Sequence, residues 1–398
     1  FGASPALISE GIPDAAFDSL TLDDPEFTKN LKRTNREDRR RRRSGERSFL
    51  SISEQGISMD ELTRMREFLA SINHHVDETL PDVDRIEKMY NDLTRSDVWI
   101  LAKRVADAWC TAFTQKKTRD NPNILTDSRF SGLQEHPAGA SSQLVQQILA
   151  EANRYRFFHW HLEFLDVFAP SRGADSGEMG WTGGFDVVLG NPPWEKIQME
   201  EVPWFSQYKP EIANARTGAE RKRLIQGLAN TDPNLYALFA EEKRNQEAIS
   251  HFAHEGGHYP LSGKGRINTY GVFAELNRQV LSPTGRAGFI VPSGIATDMG
   301  TSEFFGDLAE KGQIASLFAF ENRLKIFPAI DSRQRFCLMT LSGRSSPIEQ
   351  ADYAFFLEKV EDLKDQDRHF TMSGDELRLF NPNTGNCPTF RCKRDKEI

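Results

Sequence analysis

Gly183 to Trp194 reads Gly-Gly-Phe-Asp-Val-Val-Leu-Gly-Asn-Pro-Pro-Trp, and no other stretch constrains the fold as tightly. Phe185 to Leu189 has the pattern of a buried strand. The two prolines that follow fix φ and withhold their N–H donors, so the loop is rigid and rich in acceptors. It lies at the carboxyl end of a strand, where open α/β sheets bind ligands. Asn191 adds a side-chain carbonyl and Trp194 a flat aromatic face. This set suits a planar heterocycle with an exocyclic amine. The Asn191 and Pro192 carbonyls can each accept one amine hydrogen, localising the nitrogen lone pair, while the Trp194 ring holds the base by its face. A base in a duplex must first leave its stack to be reached. The plainer alternative is a Pro-Pro turn with Trp194 in the core, and the strand in front argues against it.

The rest of the chain reads as a helical part followed by an α/β part. Ser58 and Glu61 form a capping-box pattern ahead of a helix running to about Asn73. Val98, Leu101, Ala102, Val105, Trp109 and Phe113 recur at helical spacing, as do Leu144, Val145, Ile148, Leu149 and Ala152, so both faces are expected to be buried. Cys110 sits among the first set as a packing residue. After Tyr155 the texture changes. Phe185–Leu189, Ala287–Val291, Ile314–Phe320 and Phe336–Leu341 are strand candidates. Residues 268–281 form an amphipathic helix through Tyr270, Phe273, Leu276 and Val280. Strands alternating with helices predict an α/β layer with a mostly parallel sheet. Residues 344–398 lose the rhythm and read as a linker into a further domain. The expected divisions are 1–154, 155–343 and 344–398.

At 398 residues the chain allows two or three domains. Its net charge of −8 excludes a uniformly basic nucleic-acid coat but not a local basic patch. Lys32 to Arg47, centred on Arg39–Arg43, is that patch. It is either a solvated face or a phosphate contact. Four cysteines make no disulfide framework, which points to a reducing compartment such as the cytoplasm. No apolar run is long enough to span a membrane. The chain opens on Phe1 and closes on a charged Lys393–Ile398 turn, and is expected to be part of a longer polypeptide.

Several patterns are decoys. His254-Glu255-Gly256-Gly257-His258 matches HExxH, but two glycines weaken the helix that zinc chemistry needs. His159-Trp160-His161 and the Cys387/Cys392 pair lack metal-ligand spacing. No metal site is expected. Ser293 lacks the glycine pattern of a nucleophile elbow. Trp181, Trp204 and Phe205 read as core more than as a DNA-facing surface.

Asn191-Pro192-Pro193-Trp194 after a hydrophobic strand resembles the catalytic tetrapeptide of class I S-adenosylmethionine-dependent DNA adenine-N6 methyltransferases. Residues 156–164 with Val167-Phe168, residues 265–273 and residues 285–293 resemble segments of the large adenine methyltransferases of restriction-modification and phage-defence systems. So do Phe320-Glu321-Asn322-Arg323 with Phe327-Pro328 and Phe336, and residues 379–385. The likeness spans about residues 155–398, and more loosely 10–150.

The resemblance implies a partial Rossmann-like methyltransferase sheet, its carboxyl-terminal half, preceded by a mainly helical insertion. It implies S-adenosylmethionine as cofactor and double-stranded DNA as partner, with a fused or separate nuclease or defence subunit. It assigns catalysis to Asn191, Pro192, Pro193 and Trp194, and base holding to Phe327 or Phe336. Asp186 and Tyr270 become cofactor-side candidates, although core packing is the other role of Tyr270 and Phe273.

The sequence departs from the family in one respect. No glycine-rich turn between a strand and a helix precedes Gly183, and Gly263-Lys264-Gly265 lies on the wrong side. The cofactor-holding half is therefore expected to precede this chain, and the chain alone to be inactive. The competing readings are a methyltransferase of RNA or protein glutamine, and a DNA-binding scaffold without cofactor.

Overall fold

A computed structural model describes residues 2–44, 59–73, 77–171 and 177–398. They form two compact units, Phe1–Asp166 with Ile197–Gly256, and Val167–Lys196 with Gly257–Ile398.

The first unit is helical. Its principal helices are α1 (Pro25–Arg43), α2 (Met59–Asn73), α3 (Leu80–Thr94), α4 (Asp97–Thr114), α5 (Asp127–Glu135), α6 (Ser142–Tyr155), α7 (Glu201–Tyr208), α8 (Gly218–Thr231) and α9 (Pro233–Glu255). Ser58 lies outside the described residues, while the helix expected after it is α2. In α4 the apolar face is buried as the spacing demands, with Trp109 and Phe113 in edge contact with Phe252 of α9. Cys110 is buried beside them. Leu149 departs from expectation: Ile148 and Ala152 are buried, but Leu149 is exposed. It lies at the margin of the α6 stripe, which the narrower Ile148–Ala152 contact leaves in solvent.

Polar groups inside this unit are paired. The His159 Nε2–H donates to Asp107 at 2.9 Å, and its Nδ1 accepts the Ala3 N–H at 2.9 Å, which fixes the tautomer. The Arg244 guanidinium, buried, donates to Asp23 at 2.7 Å and to the Gln115 carbonyl at 2.7 Å. Lys117 is buried in the same place, 4.0 Å from Asp23.

The second unit carries the strands. β1 (Phe168–Pro170) and β2 (Trp181–Gly183) pair antiparallel. β3 (Phe185–Gly190), β4 (Leu281–Pro292), β5 (Ile314–Glu321), β6 (Arg335–Ser342), β7 (Ala351–Leu357) and β8 (Phe370–Met372) form one sheet of order β3-β4-β6-β5-β7-β8. Helices α10 (Thr269–Gln279), α11 (Gly294–Thr297), α12 (Ser302–Glu310) and α13 (Gly374–Phe380) accompany it.

The α/β class is as expected, but the sheet is mixed. β3–β4 and β5–β7 are parallel, and the other three pairs are antiparallel. The reason is the return from β5. Residues 322–334 turn back at the same end of the sheet, so β6 must run against β5.

Two expected boundaries differ. Residues 344–398 are not a linker here: β7 and β8 lie within the sheet, with Tyr353, Ala354 and Leu357 buried. Helices α7 to α9 fall inside the expected 155–343 segment yet belong to the helical unit.

β3 is an edge strand. Val187 is 63 % and Leu189 79 % exposed. Apolar side chains on an unpaired edge form a surface suited to pairing. No helix among the described residues is long and apolar enough to cross a membrane.

Candidate functional site

The strand directions bring the ends of β3, β4, β5 and β7 to one side of the sheet. Asn191–Trp194 leaves β3 there. The turn after β4 and residues 322–334 share that side.

Within the loop the polar groups fall into two classes. The Asn191 side chain and the Pro192 carbonyl have no hydrogen-bond partner among the described residues, and Asn191 is exposed. The next positions are tied down. The Thr269 hydroxyl donates to the Pro193 carbonyl at 2.6 Å and accepts the Glu195 N–H at 2.9 Å. The Thr269 N–H donates to the Glu195 carbonyl at 2.8 Å. Lys196 and Asn268 add an isolated antiparallel bridge. The first residue of α10 thus clamps the loop and leaves the two upstream acceptors open.

Trp194 is half-buried and packs against two apolar clusters, one of which holds Phe320 and Phe336 with the half-buried Phe327. Its indole nitrogen is shielded from solvent without a hydrogen-bond partner, an uncommon state for tryptophan. Phe336 stacks on Phe320 at 5.3 Å and meets Phe327 edge-on at 5.0 Å. The structure therefore gathers Trp194, Phe327 and Phe336 in one cluster. Phe336 is only 3 % exposed, so Phe327 presents the more accessible ring.

The loop carrying Phe327 is stapled by Asn322, which is fully buried. Its amide donates to the Phe327 and Ile330 carbonyls at 3.0 and 3.2 Å and accepts the Phe327 N–H at 3.0 Å. Glu321 pairs with Arg323 at 2.6 Å and Arg335 at 3.0 Å across the loop base. Thr269 and Asn322 both stand inside the segments that carry the resemblance, but no local pattern marks either for a role.

The other candidates lie apart. Asp186 sits near the opposite end of β3, where it accepts from Ser282 at 3.3 Å. Tyr270 is buried in the sheet core. Burial, then the nearby Asp298 carboxylate, pushes its phenol up to about 12. Phe273, expected on the buried face of α10, is 39 % exposed. Trp181 and Phe205 are buried and Trp204 packs beside Phe205. Helix α9 ends at Glu255, so His258 lies beyond the turn that holds His254.

Residues 82–245 match the family model described as Eco57I restriction-modification methylase. That segment of the chain is similar to restriction-modification methylases. The matched segment includes β3 and Asn191–Trp194. Among solved structures, the chain is similar to the methyltransferase subunit of a type I restriction-modification system from Streptococcus thermophilus. That match has 13% identity and a TM-score of 0.29, covering 62% of this chain and 46% of that one. A Listeria monocytogenes protein described as a class I S-adenosylmethionine-dependent methyltransferase matches at 10% identity and a TM-score of 0.25, covering 91% and 95%. A modification subunit described for a type I restriction enzyme of Vibrio vulnificus matches at 10% and 0.28, covering 88% and 60%. The chain thus spans about half the length of the Streptococcus subunit. Comparison with curated proteins finds no match.

S-adenosylmethionine is the cofactor that the sequence resemblance implies. The open acceptors of Asn191 and Pro192 suit the amine that receives a methyl group, not the cofactor itself. No glycine-rich turn joins a strand to a helix ahead of β3 among the described residues, so the adenosyl side has no counterpart in them.

Proposed function

We propose that this chain carries the amine-holding side of a DNA adenine-N6 methyltransferase of a restriction-modification or phage-defence system. The observation that supports it is the pair of unengaged acceptors, Asn191 and Pro192, on a loop whose next carbonyl is clamped by Thr269. Two converging oxygens accept the two hydrogens of an exocyclic amine and aim its lone pair away from the ring plane. Because the loop is already fixed, little reorganisation is needed when the amine arrives, which is how positioned dipoles lower a barrier. Trp194 and Phe327 offer aromatic faces to a base out of its stack, with Phe336 as the packed support behind Phe327. S-adenosylmethionine, when bound, supplies the methyl group. The open apolar edge of β3 is suited to pairing with an adenosyl-holding part of the fold. Duplex DNA is the partner, with a nuclease or further restriction subunits accompanying it in cytoplasm.

A second reading, a DNA-binding scaffold without cofactor, is favoured by the absence of an adenosyl-holding turn among the described residues. One experiment separates the two. In the intact protein that carries this chain, Asn191→Ala is expected to abolish methyl transfer to duplex DNA while DNA affinity stays within a few-fold. Near-normal transfer in the variant sinks the assignment. Duplex binding with no affinity for S-adenosylmethionine in the unaltered intact protein selects the scaffold.

A further inference from the structure

The arginine run divides in the folded protein. Arg42 turns inward: it is buried, ion-paired with Asp127 at 3.1 Å and bonded to the Glu10 carbonyl. Thr28, Asn35 and Arg42 recur every seven residues on the buried face of α1. Asn35 donates to the Ile12 carbonyl at 3.0 Å and accepts the Asp127 N–H at 2.8 Å. These contacts fix the rotation of α1 about its axis. Lys29, Arg33, Arg36, Arg40 and Arg43 then share one exposed stripe, at spacings of four, three, four and three. Arg36 is held by Asp14 at 3.0 Å. Lys29, Arg33, Arg40 and Arg43 have no ion-pair partner among the described residues.

The stripe runs for about 21 Å at the helical rise. A duplex carries about a dozen phosphates over that length. The chain as a whole has a net charge of −8, so the positive charge of α1 is locally concentrated, not spread. Surface charge is ordinarily just solvated. Here a buried ion pair and a buried amide hold the helix so that its free cations align, and guanidinium forks match phosphate geometry.

We propose that this face of α1 binds the phosphodiester backbone of a DNA duplex without reading its sequence. The choice of duplex over other polyanions rests on the methyltransferase reading; the charge geometry does not. The test is binding of the protein to an arbitrary 30-base-pair duplex across a salt series, with no cofactor present. Each lost phosphate contact lowers the slope of log affinity against log salt by about 0.9. The combined Lys29→Gln, Arg33→Gln, Arg40→Gln and Arg43→Gln variant is expected to lose about 3 to 4 from the slope and at least about tenfold in affinity at 0.1 M salt. A control with Arg85, Lys88, Lys222 and Arg223 all changed to Gln keeps the parent slope. Should the combined variant fold poorly, the single Arg33→Gln and Arg40→Gln variants each lose about 0.9. Equal slopes in stripe and control variants, no duplex binding by the parent, or equally tight stripe-dependent binding of polyglutamate overturns the proposal. Because no methyl transfer is measured, failure of the stripe and failure of the catalytic reading are seen separately.

Discussion

The Thr269 hydroxyl donates to the Pro193 carbonyl at 2.6 Å, so the residue that opens α10 holds the loop that closes β3. The same oxygen accepts the Glu195 N–H at 2.9 Å. One side chain thus sets the backbone on both sides of Trp194 and leaves Asn191 and Pro192 free.

Thr269→Val keeps the shape and removes the hydroxyl. Methyl transfer is expected to fall about 10- to 100-fold, as for other misplaced catalytic groups, with DNA affinity unchanged. Stability should fall by about 1 kcal/mol. Thr269→Ser should restore most of the activity. Steady-state kinetics and denaturant unfolding of the three proteins decide it, and full activity in Thr269→Val refutes the clamp.

Trp194→Ala is expected to weaken binding of duplexes whose adenine faces a mismatch or an abasic position. Base–aromatic stacking is worth about 1–3 kcal/mol. Unchanged affinity for such duplexes leaves Trp194 as a packing residue only.

Lys117 is buried and its ammonium is lowered to about 8, chiefly by burial, with Asp23 partly opposing. A lysine depressed in the folded state destabilises it wherever the unfolded chain holds the extra proton. That penalty is full below pH 8 and fades as pH rises to the ordinary lysine value. Asp23 keeps Arg244 and the Lys117 N–H as partners without the ammonium. Lys117→Met is therefore expected to be more stable than the parent at pH 7, by at most about 3 kcal/mol. The gain should shrink between pH 8 and 10.5. Urea unfolding of both proteins across that range tests it, and a variant less stable at pH 7 contradicts it.

His251 is lowered to about 4, first by burial and then by the Lys117 charge, while its ring N–H donates to the Ala15 carbonyl at 2.9 Å. The unfolded chain takes up the proton near pH 6.5 and the folded one only near pH 4. Stability is therefore complete above pH 6.5 and falls as pH drops through this window, by at most about 3 kcal/mol. His251→Gln retains a donor but does not titrate, so its decline over the same window should be shallower. Parallel declines in the two proteins contradict the assignment.

The central strands and α4 were legible because their apolar periods are long and uninterrupted. The loop Asn191–Trp194 was legible because strand, prolines and ring are contiguous. Residues 344–398 read as a linker because Asp, Asn, Gly and Pro flank a short run, Tyr353–Leu357, whose length alone fits a buried strand. Thr269 could not be assigned, since its partners lie more than seventy residues away and the hydroxyl itself carries no local pattern. Nor could Arg42 be told from its four neighbours. Only the helix rotation set by Asn35 and Asp127 separates it from the exposed arginines.

The central claim is tested most directly by nucleoside mass spectrometry of DNA from cells expressing the intact protein that carries this chain, or its Asn191→Ala variant. The account predicts N6-methyladenine in the first and its loss in the second. Label on cytosine, on RNA or on protein glutamine, or equal N6-methyladenine in both, contradicts it.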